Sequence, residues 1–287
     1  MINVIVNIND SYTWQCCVML TSLFENNKSD CFHIFVLHNG LNGENRLDLE
    51  SCISEKYGHQ VTFLEVERDL IEQIHSRSDY DYSAYFRLFA SSLLPKSVSK
   101  ALYLDSDMVL VGDVSTLWGY DLTDYAIGAV EDGKSGTEEY YERLGFSPDT
   151  PYFNSGVILM NLNRLREMSF TEKVLDFMDK QWEKIKIADQ DIFNALLHNH
   201  TLYLPLCYNT MDGFLRRRIK IRKQTVKEMR EAAKNPVIIH FTGRKPWQYY
   251  CFNPYRHLWF KYQDMTPWAG QRPRMPFWYR WRKRLDA

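Results

Sequence analysis

Short apolar runs alternate with amphipathic stretches through the first part of the chain. Ile2–Val6, Phe32–Leu37 and Gln60–Val66 have the length and β-branched content of buried strands. Between them, Thr13–Asn26 and Asn42–Tyr57 carry apolar residues at helical spacing. Strands that alternate with helices predict an α/β fold, in which a parallel sheet is covered by helices on both faces.

The same alternation continues to the end of the predicted sheet. Further strands are predicted at Ala101–Leu104, Met108–Val111, Tyr125–Val130, Gly156–Leu162 and Val237–Ile239. Further helices are predicted at Tyr82–Leu94, Phe170–Trp182, Asp189–Leu197 and Thr225–Lys234. In such sheets ligands bind beyond the carboxyl ends of the strands, so polar residues that directly follow a strand are candidates for a site.

Composition excludes several classes of protein. The chain has 287 residues, of which 45% are hydrophobic and 25% charged, as in ordinary globular domains and unlike disordered or polytopic membrane proteins. Its net charge of −1 gives no reason to expect a nucleic-acid partner. No apolar run approaches the ~18 residues of a membrane span, and the first residues lack the basic start of a signal peptide, so a cytoplasmic location is expected.

The charge is unevenly distributed along the chain. Residues 241–287 contain ten Lys or Arg against two Asp or Glu, and five of the eight Trp. We therefore divide the chain into a folded domain, residues 1–262, and a basic aromatic tail, residues 263–287. Cations interleaved with indole rings suit an anionic membrane surface, which predicts peripheral association with the inner face of the membrane. The alternative is a tail that packs on its own domain.

The strongest candidate site follows the strand Ala101–Leu104. Asp105 and Asp107 stand one residue apart at its end, and alternation along the chain sends both to the same side. Two converging carboxylates repel each other unless a positive charge lies between them. Oxygen ligands of this kind suit Mn²⁺ or Mg²⁺, which can also hold a pyrophosphate. The competing interpretation is a solvated loop or a pair of helix-capping aspartates.

A second candidate follows the short strand Val237–Ile239. His240 is expected at the same edge of the sheet, where its imidazole is a candidate third metal ligand. Gly243 permits close approach of the backbone, and Arg244 and Lys245 can neutralise a phosphate. The competing interpretation is a structural histidine whose hydrogen bonds are satisfied within the protein.

Three more motifs occur in order with these two, namely Tyr85-Phe86-Arg87-Leu88, Phe153-Asn154-Ser155-Gly156 and Ala188-Asp189-Gln190-Asp191. The set resembles glycosyltransferase family 8, the retaining family that includes bacterial lipopolysaccharide galactosyl- and glucosyltransferases and glycogenin. The resemblance implies that residues 1–262 form a glycosyltransferase domain with a Rossmann-like sheet of the GT-A type. It also implies a UDP-hexose donor, either galactose or glucose, and a glycan or glycolipid acceptor such as lipopolysaccharide core.

The resemblance also implies roles for particular residues. Asp105, Asp107 and His240 would hold the metal, expected to be Mn²⁺ with Mg²⁺ as the alternative. Tyr12 would stack on the base. The competing interpretation of Asn7, Asn9 and Asp10 is a turn and an N-cap for the next helix, and both interpretations can hold at once. The residues expected to bind the donor are Asn7, Asn9, Asp10, Tyr12, Arg87, Asp105, Ser106, Asn154, Ser155, Asp189, Gly243 and Lys245.

Asp189 and Gln190 are the expected catalytic residues. Asp189 resembles a ligand of the donor sugar, and Gln190 resembles the residue below the anomeric carbon. Because an amide is a poor nucleophile, a front-face reaction with retention fits better than a covalent intermediate. Two choices stay open: whether Gln190 acts chemically or only orients the sugar, and whether Arg244 or Lys245 contacts the diphosphate. The alternative function is a catalytically silent sugar-nucleotide-binding or scaffold protein on the same fold.

Overall fold

The computed structural model describes residues 1–75, 81–133, 142–147, 149–215 and 223–274. The strands are β1 (Ile2–Asn7), β2 (Phe32–His38), β3 (Gln60–Glu65), β4 (Lys100–Leu104), β5 (Met108–Leu110), β6 (Ile127–Glu131), β7 (Phe153–Asn161), β8 (Thr201–Tyr203), β9 (Thr210–Met211) and β10 (Ile238–His240). The α-helices are α1 (Thr13–Asn26), α2 (Gly43–Glu50), α3 (Arg68–Gln73), α4 (Ala90–Leu93), α5 (Ser115–Trp118), α6 (Leu162–Glu167), α7 (Phe170–Gln181), α8 (Ala188–Leu197), α9 (Lys223–Lys234) and α10 (Arg256–Gln263).

Seven strands form the main sheet in the order β3-β2-β1-β4-β7-β6-β8. The first four pair in parallel, and so do β6 and β8, whereas β7 runs antiparallel to both of its neighbours. The predicted α/β fold is confirmed, but the prediction of a parallel sheet is wrong at β7. An apolar run shows that a strand is buried and carries no information about the direction in which it runs.

A small second sheet has the strand order β5-β10-β9, and the chain enters it at β5, shortly after the end of β4. In this sheet His240 pairs with Met108, the residue that follows Asp107. The two segments that the sequence singled out are thereby brought side by side, although more than a hundred residues separate them along the chain.

Apolar side chains on both faces of the main sheet form the core. On one face, Val4 and Val6 of β1 pack in a cluster with residues of α1 such as Leu20. On the other face, Ile5 packs in a second cluster with residues of α7 and α8 such as Phe193. Burial on both faces explains why β1 reads as a continuous apolar run instead of an alternating one.

Three predicted elements differ in detail from the structure. Tyr82–Leu94 is a 3-10 helix over Tyr82–Phe89 followed by α4, and Asn42–Tyr57 is α2 followed by a π-helical turn, Ser51–Glu55. The residues from 85 to 89 are all buried, so packing on every side determines their winding and apolar periodicity does not. Strand β7 begins at Phe153, three residues before the predicted start, because Phe153 and Asn154 pair with β6.

The described residues after α10 pack on the domain. Gln263 donates to the carbonyl oxygen of Trp268 at 3.0 Å, and the Trp268 ring contacts the core. Residues 275–287, which hold most of the basic aromatic tail, lie outside the described residues, and the membrane contact stays a prediction. Among the helices that are described, none has both the length and the apolar character needed to cross a bilayer.

Candidate active site

The loop Asp105–Asp107 joins β4 of the main sheet to β5 of the small sheet. The Asp105 amide donates to the carbonyl oxygen of Gly156 at 2.9 Å, which ties the loop to β7. Ligand atoms of Asp105, Asp107 and His240 all lie within 4.8 Å of one another. The structure thus brings together the three residues that the sequence marked as metal ligands.

The chemistry of this cluster fits a divalent cation. Asp107 Oδ1 is buried without a hydrogen-bond donor, and His240 Nε2 lies 3.1 Å from it and 3.6 Å from Asp105 Oδ2. On its other side the imidazole Nδ1 is bonded to Asn209 Oδ1 at 2.9 Å. Two carboxylates and one imidazole, with their lone pairs converging, form a ligand set that suits Mn²⁺ or Mg²⁺.

Two cations flank the carboxylates. Arg87 Nη1 lies 2.8 Å from Asp105 Oδ1, and Arg87 Nε lies 3.3 Å from Asp189 Oδ2. Lys245 Nζ contacts Asp107 Oδ2 and donates to the carbonyl oxygen of Phe241 at 2.8 Å. Burial would by itself raise the pKa of Asp107, but the Lys245 ammonium and the His240 ring together outweigh it and hold that pKa far below its usual range.

Of the two cations after Gly243, Lys245 is the one that points to the acidic cluster. The Arg244 guanidinium instead stacks over the Tyr250 ring at 4.9 Å and donates to the Tyr250 carbonyl oxygen. Gly243 itself is fixed by Asp212, whose carboxylate accepts from the Gly243 amide at 2.6 Å. The path of this loop therefore turns Arg244 outward and leaves Lys245 at the site.

The base of the cluster is lined by a glycine that has no room for a side chain. A Cβ built on Gly156 would lie 2.3 Å from His240 Cε1 and 2.7 Å from Asp105 Oδ2. The antiparallel strand β7 passes this closely because residue 156 is glycine. Gly156 was part of a motif in the sequence, and its individual role follows only from this contact.

A line of buried amides runs from the metal ligand His240 toward Gln190. Asn209 Nδ2 donates to Asn154 Oδ1 at 2.8 Å, and Asn154 Nδ2 donates to Gln190 Oε1 at 2.9 Å. Gln190 Nε2 in turn donates to Asp132 Oδ2 at 3.2 Å. Asn154 and Gln190, which belong to different sequence motifs, are therefore joined directly, and Asn209 and Asp132 are additional members.

The two acids of the motif around Gln190 have different environments. Asp189 is buried beside Arg87, and burial raises its pKa to about 6, although Arg87 acts in the opposite direction. Asp191 is fully buried and accepts from Arg143, from the Tyr152 hydroxyl and from backbone amides. Asp191 thus stabilises the start of α8, whereas Asp189 is linked to the metal-ligand candidate Asp105 through Arg87.

The loop after β1 combines local bonds with one unpaired amide. Asn9 caps the following turn by accepting from the Ser11 amide, and Asp10 accepts from the Asn42 amide and from Asn45 Nδ2. The side-chain atoms of Asn7 are buried without hydrogen-bond partners. Asn9 therefore caps the turn as the competing interpretation expects, whereas the Asp10 carboxylate bonds to the loop that follows β2, and Asn7 retains its hydrogen-bonding capacity.

Tyr12 lies at the rim of the site, between this loop and the loop that carries Lys245. Tyr12 is 40% exposed, and its ring lies edge-to-face with that of Trp247, with ring centroids 6.2 Å apart. Trp247 in turn packs on Trp14 and Trp259. The aromatic cluster therefore connects α1, α10 and the Lys245 loop. Two further predicted donor residues, Ser106 and Ser155, are buried at the ends of β4 and β7.

Sequence reasoning missed several members of the site. Asp132 directly follows β6, as Asp105 follows β4, so the rule about strand ends could have identified it. Asn209 precedes the two-residue strand β9, and no pattern in the sequence distinguishes it. Tyr103, whose hydroxyl donates to Asp105 Oδ1 at 2.7 Å, reads as an ordinary apolar strand residue.

Comparisons with known proteins identify the class of this fold and site. The family model of glycosyl transferase family 8 matches residues 3–251, and the chain belongs to this family. The resemblance inferred from the five motifs is confirmed.

Two relatives are covered over most of their length. General stress protein A of Bacillus subtilis is 29% identical over 269 residues, which is 91% of this chain and 92% of the relative. Lipopolysaccharide 1,2-glucosyltransferase of Escherichia coli K12 is 28% identical over 277 residues, which is 95% of this chain and 80% of the relative.

A solved structure confirms the fold. The crystal structure of galactosyltransferase LgtC, in complex with donor and acceptor sugar analogs, superposes with a TM-score of 0.82. It covers 97% of this chain and 99% of its own at 22% identity, and the shared fold is of the GT-A type.

Gly156→Ala tests the close packing of the cluster. The added methyl group should displace His240 or Asp105 and weaken Mn²⁺ binding by about tenfold or more, as disturbed ligand positioning typically does. Isothermal titration with Mn²⁺ measures the affinity. Gly43→Ala is the matched control, because nothing lies within 4 Å of the corresponding Cβ. Unchanged affinity in Gly156→Ala would show that the cluster is looser than its geometry indicates.

Asp189→Asn tests the electrostatic environment of Asp189. The folded-state pKa, about 6, lies above the ordinary value of 3.8, so ionisation of Asp189 costs stability as pH rises through this interval. The variant should match wild type near pH 4 and become more stable by up to about 3 kcal/mol above pH 7. Urea denaturation across this pH range measures the difference, and a difference independent of pH contradicts the assignment.

Proposed function

We propose that the protein is a metal-dependent, retaining hexosyltransferase that moves galactose or glucose from a UDP-sugar to a glycan acceptor such as lipopolysaccharide core. The observation that carries the proposal is the convergence of Asp105, Asp107 and His240 beside two cations, Arg87 and Lys245. This arrangement suits a diphosphate that arrives together with a divalent cation. Membership of glycosyltransferase family 8 supports the same reading.

The cation-binding residues serve the leaving group. Mn²⁺ held by Asp105, Asp107 and His240 would offset the negative charge that develops on the departing diphosphate. Lys245, now paired with Asp107, is the cation of this loop that reaches the site, and we assign it rather than Arg244 to the diphosphate. Tyr12 remains the proposed stacking partner of the base, and the unpaired amide of Asn7 supplies a donor and an acceptor for the nucleotide.

The amide network serves the sugar. Gln190 Oε1 accepts from Asn154 and from the Ser155 amide, while Nε2 donates to Asp132. Because both ends of this amide are engaged, we assign Gln190 the task of orienting the donor sugar and not that of a nucleophile. Asp189, held beside Arg87, is the proposed partner of the sugar hydroxyls. Departure of UDP and entry of the acceptor hydroxyl on the same face then give retention.

The proposal predicts Mn²⁺-dependent hydrolysis of UDP-galactose or UDP-glucose without acceptor. Asp105→Asn and Asp107→Asn should each lower the rate by at least about 100-fold, because a ligand charge beside the leaving group is lost. Asp264→Asn is the control, since Asp264 is an aspartate at the surface paired with Arg272. Proton NMR of the first product of transfer should show the anomer of the donor. An inverted anomer contradicts retention.

Donor binding without turnover would instead support a sugar-nucleotide-binding or scaffold protein on this fold. Calorimetry with UDP in the presence of Mn²⁺ separates the two functions. If UDP binds and no UDP-sugar or acceptor gives turnover, the catalytic proposal is wrong and the binding function is correct.

We also propose that the basic aromatic tail holds the protein at the inner face of the membrane. Trp268 packs on the domain, so a truncation that removes residues 275–287 spares the contacts of the described residues. The truncated protein should hydrolyse donor normally and no longer sediment with anionic vesicles, since each cation near such a surface contributes about 1 kcal/mol. A full-length variant in which Gln replaces Arg280, Arg282, Lys283 and Arg284 removes four positive charges and keeps the indole rings, so it tests the contribution of charge to vesicle binding. Sedimentation of the truncated protein contradicts the proposal.

A further inference from the structure

We propose that Asn209 is a positioning residue that determines which ring nitrogen of His240 faces the cation site. It acts as one link in an ordered series of amides, the His240–Asp132 chain, which consists of His240, Asn209, Asn154, Gln190 and Asp132. The inference rests on the proposed function, because it assigns a task to a residue behind the proposed metal ligand.

Two backbone amides fix the direction of the His240–Asp132 chain. The Gly156 amide donates to Asn154 Oδ1 at 3.0 Å, and the Ser155 amide donates to Gln190 Oε1 at 3.3 Å. A backbone N–H can only donate, so the atoms that receive these bonds are oxygens. The NH₂ group of Asn154 must then point to Gln190, and that of Gln190 to the carboxylate of Asp132, which is an acceptor when ionised.

The same logic continues in the direction of the metal ligand. Asn154 Oδ1 also faces Asn209 at 2.8 Å, so Asn209 presents its NH₂ group there and its oxygen to His240. His240 Nδ1 lies 2.9 Å from that oxygen and must carry the hydrogen. His240 Nε2 then faces Asp107 Oδ1 at 3.1 Å, and a cation bound between them would take the Nε2 lone pair while the hydrogen stays on Nδ1.

Burial makes this arrangement depend on Asn209. The residue has no exposed surface, and His240 is only 3% exposed. Without the Asn209 oxygen, His240 Nδ1 loses its acceptor, whereas Asn154 keeps the bond from the Gly156 amide. No hydrogen-bond acceptor next to Nδ1 would then favour the Nδ1–H form of the His240 ring. The His240–Asp132 chain thus orients the metal ligand and the sugar-orienting Gln190 with the same set of bonds.

Nitrogen NMR of protein labelled with ¹⁵N-histidine, in the presence of Mg²⁺ so that Nε2 carries no hydrogen, tests the assignment directly. The His240 signals are identified by their loss in His240→Gln. Wild type should show the Nδ1–H form, and Asn209→Ala should lose it in favour of a mixture or of the Nε2–H form. Asn209→Asp should keep it, because a carboxylate still accepts from Nδ1–H. Asn27→Ala is the control, since Asn27 is also a buried asparagine with side-chain bonds to the backbone.

Mn²⁺ affinity, measured by calorimetry, supplies the second readout. Asn209→Ala should bind Mn²⁺ about 10- to 100-fold more weakly than wild type, the usual consequence of removing the partner of a metal-bound histidine. Asn209→Asp should bind close to the wild-type affinity, and Asn27→Ala should lose stability without a change in affinity. Should Asn209→Ala fail to fold, loss of the Nδ1–H form in Asn209→Asp would by itself overturn the inference.

The outcomes for the inference and for the proposed function are distinct. If Asn209→Ala retains both the Nδ1–H form and the wild-type affinity, Asn209 does not position His240, and the proposed function stands. If wild type shows the Nδ1–H form but binds no Mn²⁺, the proposed metal site is wrong, while the part of the inference that concerns the ring nitrogen is supported.

Discussion

Repulsion between carboxylates brought together at the end of β4 is the constraint on which the site depends. Asp105 and Asp107 share one loop, and Asp189 approaches from α8 on the other side of Arg87. Two like charges about 4 Å apart near a protein surface cost about 4 kcal/mol. Arg87 lies between the carboxylates of Asp105 and Asp189 and offsets part of this repulsion, while Lys245 pairs with Asp107. The ligand atoms of Asp105, Asp107 and His240 still converge at a point where a divalent cation fits.

The fold delivers these groups through the meeting of two sheets. The chain passes from β4 of the main sheet into β5 of the small sheet, and the two aspartates occupy the turn between them. Strand β10 then places His240 opposite Met108, and the antiparallel strand β7 brings Gly156 and Asn154 against the same point. The strand whose direction the sequence did not reveal therefore supplies both the close packing of Gly156 and the Asn154 amide of the network.

The sequence predicted the α/β class, most strands and the residues that follow them, because burial and periodicity are properties of a single segment. It also predicted that Asp105, Asp107 and His240 come together, since each follows a predicted strand. Contacts between distant segments were beyond its reach. Asn209 carries no local signal, and the 3-10 winding around Arg87 depends on burial from every side. Which of Arg244 and Lys245 points to Asp107 likewise depends on the path of the loop held by Asp212.

The most direct test of the central claim is the position of a bound cation. A crystal soaked with Mn²⁺ and UDP, measured at the manganese absorption edge, should give one strong anomalous peak within about 2.3 Å of His240 Nε2 and of oxygens of Asp105 and Asp107, the range expected for such ligands. Lys245 should have moved from Asp107 toward the diphosphate. A crystal with UDP bound and no anomalous peak at these three residues would contradict the account.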